Sequence, residues 1–251
     1  MTIGRNGAAL RGAFAMASLL LSGCSAVERT SANRFLQSGE LIALSGGDAG
    51  AAFACATCHG LDGLGNGAGA PRLAGLHLGY LNRQMAAYAG GLRQHPEMEY
   101  VARKLRPREQ QAVSVFYASL PFTPGLAIPA PAPAIWTSGD PQRGLQPCAV
   151  CHGMRGEGAG PANPAIGAQP PGYLAEQLHA WRQSKRRNDP GNVMLDISRR
   201  LTSAEIADLA AYAGALPGGP PRPVSREAFP AAHRADPRND VSGLRPHEAV
   251  Q

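Results

Sequence analysis

The sequence predicts an all-α fold made of two tandem copies of one domain. Three observations carry this prediction. The letters "CATCHG" at residues 55–60 return as "CAVCHG" at residues 148–153. The stretch after the first motif aligns with the stretch after the second. Apolar residues recur at helical spacing, with no run of alternating, strand-like positions. The chain is therefore expected to be an internal duplication of a helical unit.

Aligning the two halves of the sequence gives the register of the duplication. A shift of 93 places Gly79-Tyr80-Leu81 on Gly172-Tyr173-Leu174 and Gln84 on Gln177. After three extra residues in the second half, a shift of 96 places Leu120-Pro121 on Leu216-Pro217. Both units are therefore expected to share one fold throughout.

The composition is that of a folded protein with few aromatic residues available for its core. Of the 251 residues, 44% are hydrophobic and 17% are charged, which is ordinary for a globular protein, but only 6% are aromatic. A large, flat, apolar group could replace the missing aromatic side chains.

The first residues predict a lipoprotein signal peptide. Arg5 and Arg11 precede an apolar run of about a dozen residues, which is shorter than the roughly 20 that a membrane-spanning helix needs. The run ends in Leu21–Cys24, which resembles the lipobox of bacterial lipoproteins. A buried apolar helix with an incidental cysteine is the alternative. The expected location is the periplasmic side of a membrane, with a lipid anchor on Cys24.

The other four cysteines form the two Cys-x-x-Cys-His motifs, for which three interpretations compete. A thioredoxin-like redox pair has no use for the adjoining histidine, and the Gly-rich sequence that follows is not typical of that fold. A ribbon-type zinc site would place its cysteine pairs far closer in sequence than residues 58 and 148. Covalent attachment of haem accounts for both cysteines and the histidine, because the two thiols form bonds to the haem vinyl groups and the histidine binds the iron. The sequence therefore predicts two covalent haem c groups, attached at Cys55, Cys58, Cys148 and Cys151, with His59 and His152 as proximal iron ligands.

The repeat also selects the second axial ligands. Only Met98 and Met194 recur at matching positions of the two units, whereas no histidine outside the motifs does so. A methionine taken alone is more often an adaptable filler of apolar gaps. Recurrence at one position in both units favours these two as distal ligands to iron.

Helix signals agree with this organisation. Residues 79–90 and 172–184 are predicted to be helical. Thr202 and Glu205 form a capping box at the start of the last helix of the second unit, and Pro107 occupies the first turn of the equivalent helix of the first unit.

The predicted divisions of the chain are a signal peptide at 1–23, a lipidated tether at 24–37, domain 1 at 38–121, a Pro-rich linker at 122–135, domain 2 at 136–217 and a disordered tail at 218–251.

These motifs give the chain a family resemblance. Both units resemble class I cytochrome c domains, and the pair resembles the dihaem cytochrome c4 type, over roughly residues 38–217. The resemblance implies that Pro71 and Pro164 support the proximal histidines and that Met98 and Met194 are the distal ligands. The tail has no recognised counterpart in that family.

The function expected from this ligation is single-electron transfer, not catalysis, because iron with histidine and methionine ligands has no vacant position. The leading hypothesis is a membrane-tethered carrier between a respiratory reductase or dehydrogenase and a terminal oxidase. The alternatives are a haem subunit of a membrane-bound dehydrogenase and a dihaem enzyme. Nucleic acid is not an expected partner of an exported, lipidated protein.

A basic cluster in the second unit is predicted to be either a solvated face or a docking site for an acidic partner. It comprises Arg182, Lys185, Arg186, Arg187, Arg199 and Arg200.

Overall fold

The computed structural model describes residues 37–67, 69–126 and 128–219. These residues form α-helices, short 3-10 turns and isolated bridges, with no β-strand among them. The all-α prediction is confirmed. The predicted signal peptide, Cys24 and most of the tail lie outside the described residues. Within the described ranges, no helix is both long and apolar enough to cross a bilayer.

The helices fall into two matching series, which confirms the duplication. Domain 1 contains α1 to α5 and domain 2 contains α6 to α10. Their bounds are 37–45 for α1, Cys55–His59 for α2, Leu78–Ala89 for α3, Pro96–Lys104 for α4, Pro107–Ser119 for α5, Ala134–Thr137 for α6, Cys148–His152 for α7, Pro171–Arg182 for α8, Val193–Arg200 for α9 and Ser203–Ala215 for α10. In each domain a long helix, α3 or α8, packs on the two helices that follow it. The divisions between the domains given above remain predictions.

Local sequence signals set where the helices begin. At α10, Thr202 Oγ1 accepts from the Glu205 N–H at 3.2 Å, and Glu205 Oε2 accepts from the Thr202 N–H at 2.7 Å. The predicted capping box is therefore present. At α5, Pro107 holds the first helical position and Glu109 accepts from the Arg106 N–H at 2.8 Å. Both starts are stabilised by groups that satisfy otherwise unpaired backbone donors.

Each domain has its own apolar core. The core of domain 1 gathers residues of α3 and α5, including Tyr80, Leu81, Val113 and Phe116. The core of domain 2 gathers residues of α8 and α10 around Trp136, of which 1% is exposed. The buried face of α5 includes Val113 and Phe116, and that of α10 includes Ile206, Leu209 and Ala210.

The two domains meet along a bridge of backbone hydrogen bonds. The Gln94 N–H donates to the Lys185 carbonyl at 2.9 Å, and the Arg187 N–H donates to the Leu92 carbonyl at 2.7 Å. The bridge pairs Arg93 with Arg186, which are equivalent positions of the repeat. The first residue of the predicted Pro-rich linker packs against domain 1, since the Phe122 ring centroid lies 3.8 Å from the Arg72 guanidinium carbon.

Candidate haem sites

The structure brings the predicted haem-binding residues of both domains to one continuous cavity of about 1190 Å³. All ten line it, namely Cys55, Cys58, His59, Pro71, Met98, Cys148, Cys151, His152, Pro164 and Met194. Much of the remaining wall is apolar, with Leu81, Val113 and Leu209 among its residues. Two large apolar groups with polar edges would fit this lining.

The proximal histidines are held in one tautomer by backbone carbonyls. His59 Nδ1 donates to the Pro71 carbonyl at 3.0 Å, and His152 Nδ1 donates to the Pro164 carbonyl at 2.9 Å. Because a carbonyl oxygen only accepts, Nδ1 carries the proton and Nε2 is left free to bind iron. Burial lowers the pKa of both imidazoles, which favours their neutral, ligating form.

A folded-back loop places each proline carbonyl beside its histidine. The Gly63 carbonyl accepts from the Leu73 and Ala74 N–H groups at 2.7 and 3.0 Å. Its repeat equivalent, Gly156, accepts from the Ile166 and Gly167 N–H groups at 2.9 Å each. Both glycines have positive φ angles, 69° and 68°, which the turn requires and other residues disfavour. The Gly-rich sequence after each motif therefore positions the proline carbonyl that orients the predicted proximal ligand.

The cysteines lie on the short helices α2 and α7. Spacing of three residues places the two thiols of each motif on one helix face. The four thiols are not paired in disulfides. Burial raises the pKa of Cys55 and of Cys148 to about 11 each. A redox-active dithiol needs a depressed pKa, so this environment does not suit the thioredoxin-like alternative.

The two methionines lie in the first turns of α4 and α9, facing the shared cavity. The Met98 N–H is capped by His95 Nδ1 at 3.5 Å, and the Met194 N–H donates to Asp189 Oδ2 at 2.8 Å. The side chains are neither fully buried nor fully exposed. The structure thus places both predicted distal ligands on helices of matching position in the two domains.

A polar network at the domain interface was not predicted as part of the site. It consists of three pairs related by the shift of 93, namely Tyr80 and Tyr173, Gln84 and Gln177, and Arg93 and Arg186. Gln177 Oε1 accepts from Arg93 Nη2 at 2.7 Å and from Arg186 Nη1 at 2.8 Å. Gln84 Oε1 accepts from the same two guanidiniums at 3.0 and 3.1 Å. Each glutamine therefore bonds to both domains. The register that aligns these pairs was the signal in the sequence.

The network carries two buried positive charges. Both Arg93 and Arg186 are 4% exposed, and both line the cavity. Their hydrogen-bond partners among the described residues are amide and phenol oxygens, and none is a carboxylate. Buried guanidiniums without a counter-charge are costly. A group that brings carboxylates to the cavity would compensate them, and the propionates of haem fit this requirement.

The burial of Arg186 corrects the predicted basic cluster. The sequence grouped it with solvent-facing cations, but its guanidinium stacks 3.9 Å from the Trp181 ring centroid at the interface. Arg182 is also engaged, since its Nε donates to the Ser198 carbonyl at 3.1 Å. Lys185, Arg187 and Arg199 keep exposed positions. The cluster as predicted is not one surface.

Comparison with known proteins assigns this arrangement to a family. The family model described as cytochrome c matches residues 47–117 and, a second time, residues 145–216. The chain belongs to the cytochrome c family. Because each match contains one Cys-x-x-Cys-His motif, this cytochrome carries two covalent haem c groups.

Relatives and solved structures place it with the dihaem cytochromes of the c4 type. A protein named thiosulfate dehydrogenase electron acceptor, from Stutzerimonas stutzeri (strain A1501), is 37% identical over 181 residues, covering 69% of this chain and 84% of the relative. The reduced cytochrome c4 structure from Pseudomonas stutzeri superposes with a TM-score of 0.58 at 28% identity, covering 64% of this chain and 93% of that one. This cytochrome is therefore a dihaem electron carrier.

A larger solved protein contains a similar region. Thiosulfate dehydrogenase (TsdBA) from Marichromatium purpuratum superposes with a TM-score of 0.65 at 36% identity. The match covers 78% of this cytochrome but only 44% of that chain. The likeness therefore concerns less than half of the length of the larger protein.

Proposed function

We propose that this cytochrome accepts single electrons from a thiosulfate-oxidising dehydrogenase and passes them towards a terminal oxidase. The observation that carries the proposal is similarity across both domains to a protein named for accepting electrons from thiosulfate dehydrogenase. The cavity that gathers both sets of predicted ligands supports a carrier with two redox centres.

Histidine and methionine side chains have different roles in the proposed carrier. Each bound haem supplies an iron that changes by one electron. His59 and His152 would bind the iron through Nε2, and their rings are oriented by hydrogen bonds to the Pro71 and Pro164 carbonyls. Met98 and Met194 are the proposed distal ligands. If the two methionines complete this ligation, the iron would have no position left for a substrate, and in this proposal the chain carries electrons without catalysing a reaction.

The interface supports transfer between the two centres within one chain. Both sites open into the same cavity, and the buried guanidiniums of Arg93 and Arg186 lie between the domains. In this proposal the two guanidiniums would bind the propionates of haem and compensate their negative charge. Gln84 and Gln177 hold both guanidiniums in place because each accepts from both domains.

The electron-transfer proposal is tested by stopped-flow spectroscopy of the oxidised holoprotein. Thiosulfate alone is expected to leave both haems oxidised. Adding catalytic amounts of a thiosulfate dehydrogenase is expected to reduce both, with two electrons taken up per chain. Reduction by thiosulfate without the dehydrogenase would support the enzyme alternative instead. No reduction in either mixture would contradict the proposed donor.

A second candidate is a haem subunit held within a dehydrogenase complex. It is favoured by the solved protein in which the region similar to this cytochrome is part of a longer chain. Affinity purification of the tagged full chain from its native host separates the two candidates. A stable complex with a dehydrogenase would favour the subunit, and recovery of the cytochrome alone would favour the free carrier.

We also propose that the chain is exported and held on the periplasmic side of a membrane by lipid on Cys24. The support is the lipobox-like sequence Leu21–Cys24. Mass spectrometry of the mature N-terminus is expected to find a lipidated Cys24, and Cys24→Ala is expected to release the protein from membranes. An unmodified Cys24 in the mature protein would contradict the anchor.

A further inference from the structure

One side chain of domain 2 reaches the proximal loop of domain 1. Gln169 Oε1 accepts from the Arg72 N–H at 2.9 Å, and Gln169 Nε2 donates to the Arg72 carbonyl at 2.9 Å. Gln169 is 4% exposed and Arg72 is 1% exposed. The amide of Gln169 therefore clamps the backbone at Arg72 where water cannot compete.

The clamped backbone includes the peptide group that orients His59. The Arg72 N–H and the Pro71 carbonyl belong to one peptide, and that carbonyl accepts from His59 Nδ1 at 3.0 Å. A chain of hydrogen bonds thus runs from His59 through this peptide to Gln169. Because bonds in such a chain polarise one another, donation to Gln169 makes the Pro71 oxygen a stronger acceptor.

Among the described residues, no equivalent clamp runs from domain 1 to the proximal loop of domain 2. The shift of 93 places Ala165 at the position of Arg72 and Leu76 at the position of Gln169. Ala165 packs against the apolar cluster of domain 1 that contains Leu76. A leucine side chain can neither accept nor donate a hydrogen bond, so the polar clamp acts on the site of His59 and not on that of His152.

We propose that Gln169 is a positioning residue that lowers the reduction potential of the domain 1 haem relative to the domain 2 haem. A stronger acceptor draws the proton of His59 Nδ1 and makes the imidazole a better electron donor to iron. A better donor favours the oxidised iron. The inference rests on the carrier function proposed above, in which His59 binds iron, but it does not depend on the identity of the electron donor.

The test uses Gln169→Met in the two-haem holoprotein, with potentials followed for each haem by NMR during a redox titration. At a fixed potential, the reduced-to-oxidised ratio of the domain 1 haem is expected to rise about threefold, which is about 30 mV at 59 mV per tenfold. The domain 2 haem is expected to stay unchanged. In the reduced protein, the His59 Nδ1–H resonance should move upfield while that of His152 stays in place. Gln169→Glu keeps an acceptor for the Arg72 N–H and should return the potential to the parent value or below.

Arg72→Met is the control for a loosened interface. It removes the guanidinium, which donates to the Gly167 carbonyl at 3.0 Å, but leaves both backbone partners of Gln169. Its His59 resonance is expected to match the parent. The proposal is overturned if Gln169→Met shifts neither haem, shifts both equally, or moves the His59 resonance no more than Arg72→Met does. If Gln169→Met does not mature with two haems, Gln169→Glu decides alone, and a raised domain 1 potential in it overturns the proposal. Reduction by the dehydrogenase tests the proposed function separately.

Discussion

Replacing Gln177 with leucine removes one of the two glutamine oxygens to which both buried guanidiniums of the interface donate. Arg93 Nη2 lies 2.7 Å and Arg186 Nη1 lies 2.8 Å from Gln177 Oε1. Leucine fills a similar volume without an acceptor. The substitution therefore tests the hydrogen bonds of the network more than the packing around them.

The expected cost follows from the type of bond that is lost. A hydrogen bond with a charged partner contributes about 1.5–3 kcal/mol, so two of them give about 3–6 kcal/mol. Both guanidiniums keep Gln84 as an acceptor, and each keeps a tyrosine hydroxyl. The added leucine also gains about 1–2 kcal/mol of apolar burial. The net loss in the free energy of unfolding is expected to be about 2–4 kcal/mol.

The assay is guanidinium chloride unfolding of the holoprotein at neutral pH, followed by far-ultraviolet circular dichroism. The matched control is Gln183→Leu, an exposed position directly after α8. It is expected to change stability by less than about 0.5 kcal/mol. A loss below about 1 kcal/mol for Gln177→Leu would refute the reasoning that this network stabilises the interface.

Two further predictions concern the helix cap and the proximal loops. Hydrogen bonds from Arg143 and from the Thr202 backbone hold the pKa of Glu205 at about 2, so its contribution is present above the unfolded pKa of about 4.3 and is lost as the pH falls towards 2. Glu205→Gln should therefore cost about 1 kcal/mol at pH 7 and progressively less below pH 4 in acid-dependent unfolding measurements, and a cost that is constant with pH would contradict the assignment. An added Cβ at Gly156 would meet the Gly167 backbone nitrogen at 2.7 Å, whereas at Gly63 it would meet the Leu120 and Tyr117 side chains at 3.0 Å and the Ala74 backbone nitrogen only at 3.1 Å. Gly156→Ala is expected to cost about 3 kcal/mol or more and Gly63→Ala about 1–2 kcal/mol in chemical unfolding, and equal losses would contradict the difference in packing.

Much of the fold could be predicted because its signals are local or repeated. The start of α10 is encoded by Thr202 and Glu205, and that of α5 by Pro107, through capping rules that depend on neighbours in sequence. The repeat register selected Met98 and Met194 from the other methionines. Both of them line the cavity that the two motifs share.

The interface could not be predicted by the same rules. Arg186 has cationic neighbours in sequence and was grouped with them, because its burial depends on Gln84 and Tyr80 of the other domain. The bond between Gln169 and Arg72 joins residues that are 97 positions apart and has no counterpart in the repeat. The aligned pairs Arg93 with Arg186 and Gln84 with Gln177 were visible in the register. Only the fold shows that these pairs meet one another at the domain boundary.

The measurement that tests the central claim most directly is an optical spectrum of the matured, reduced protein before and after carbon monoxide is added. A carrier with His59 and Met98 on one iron and His152 and Met194 on the other has no open position. No spectral change is therefore predicted. Rapid binding of carbon monoxide at either haem would reveal an open iron site and contradict the account of this cytochrome as a pure electron carrier.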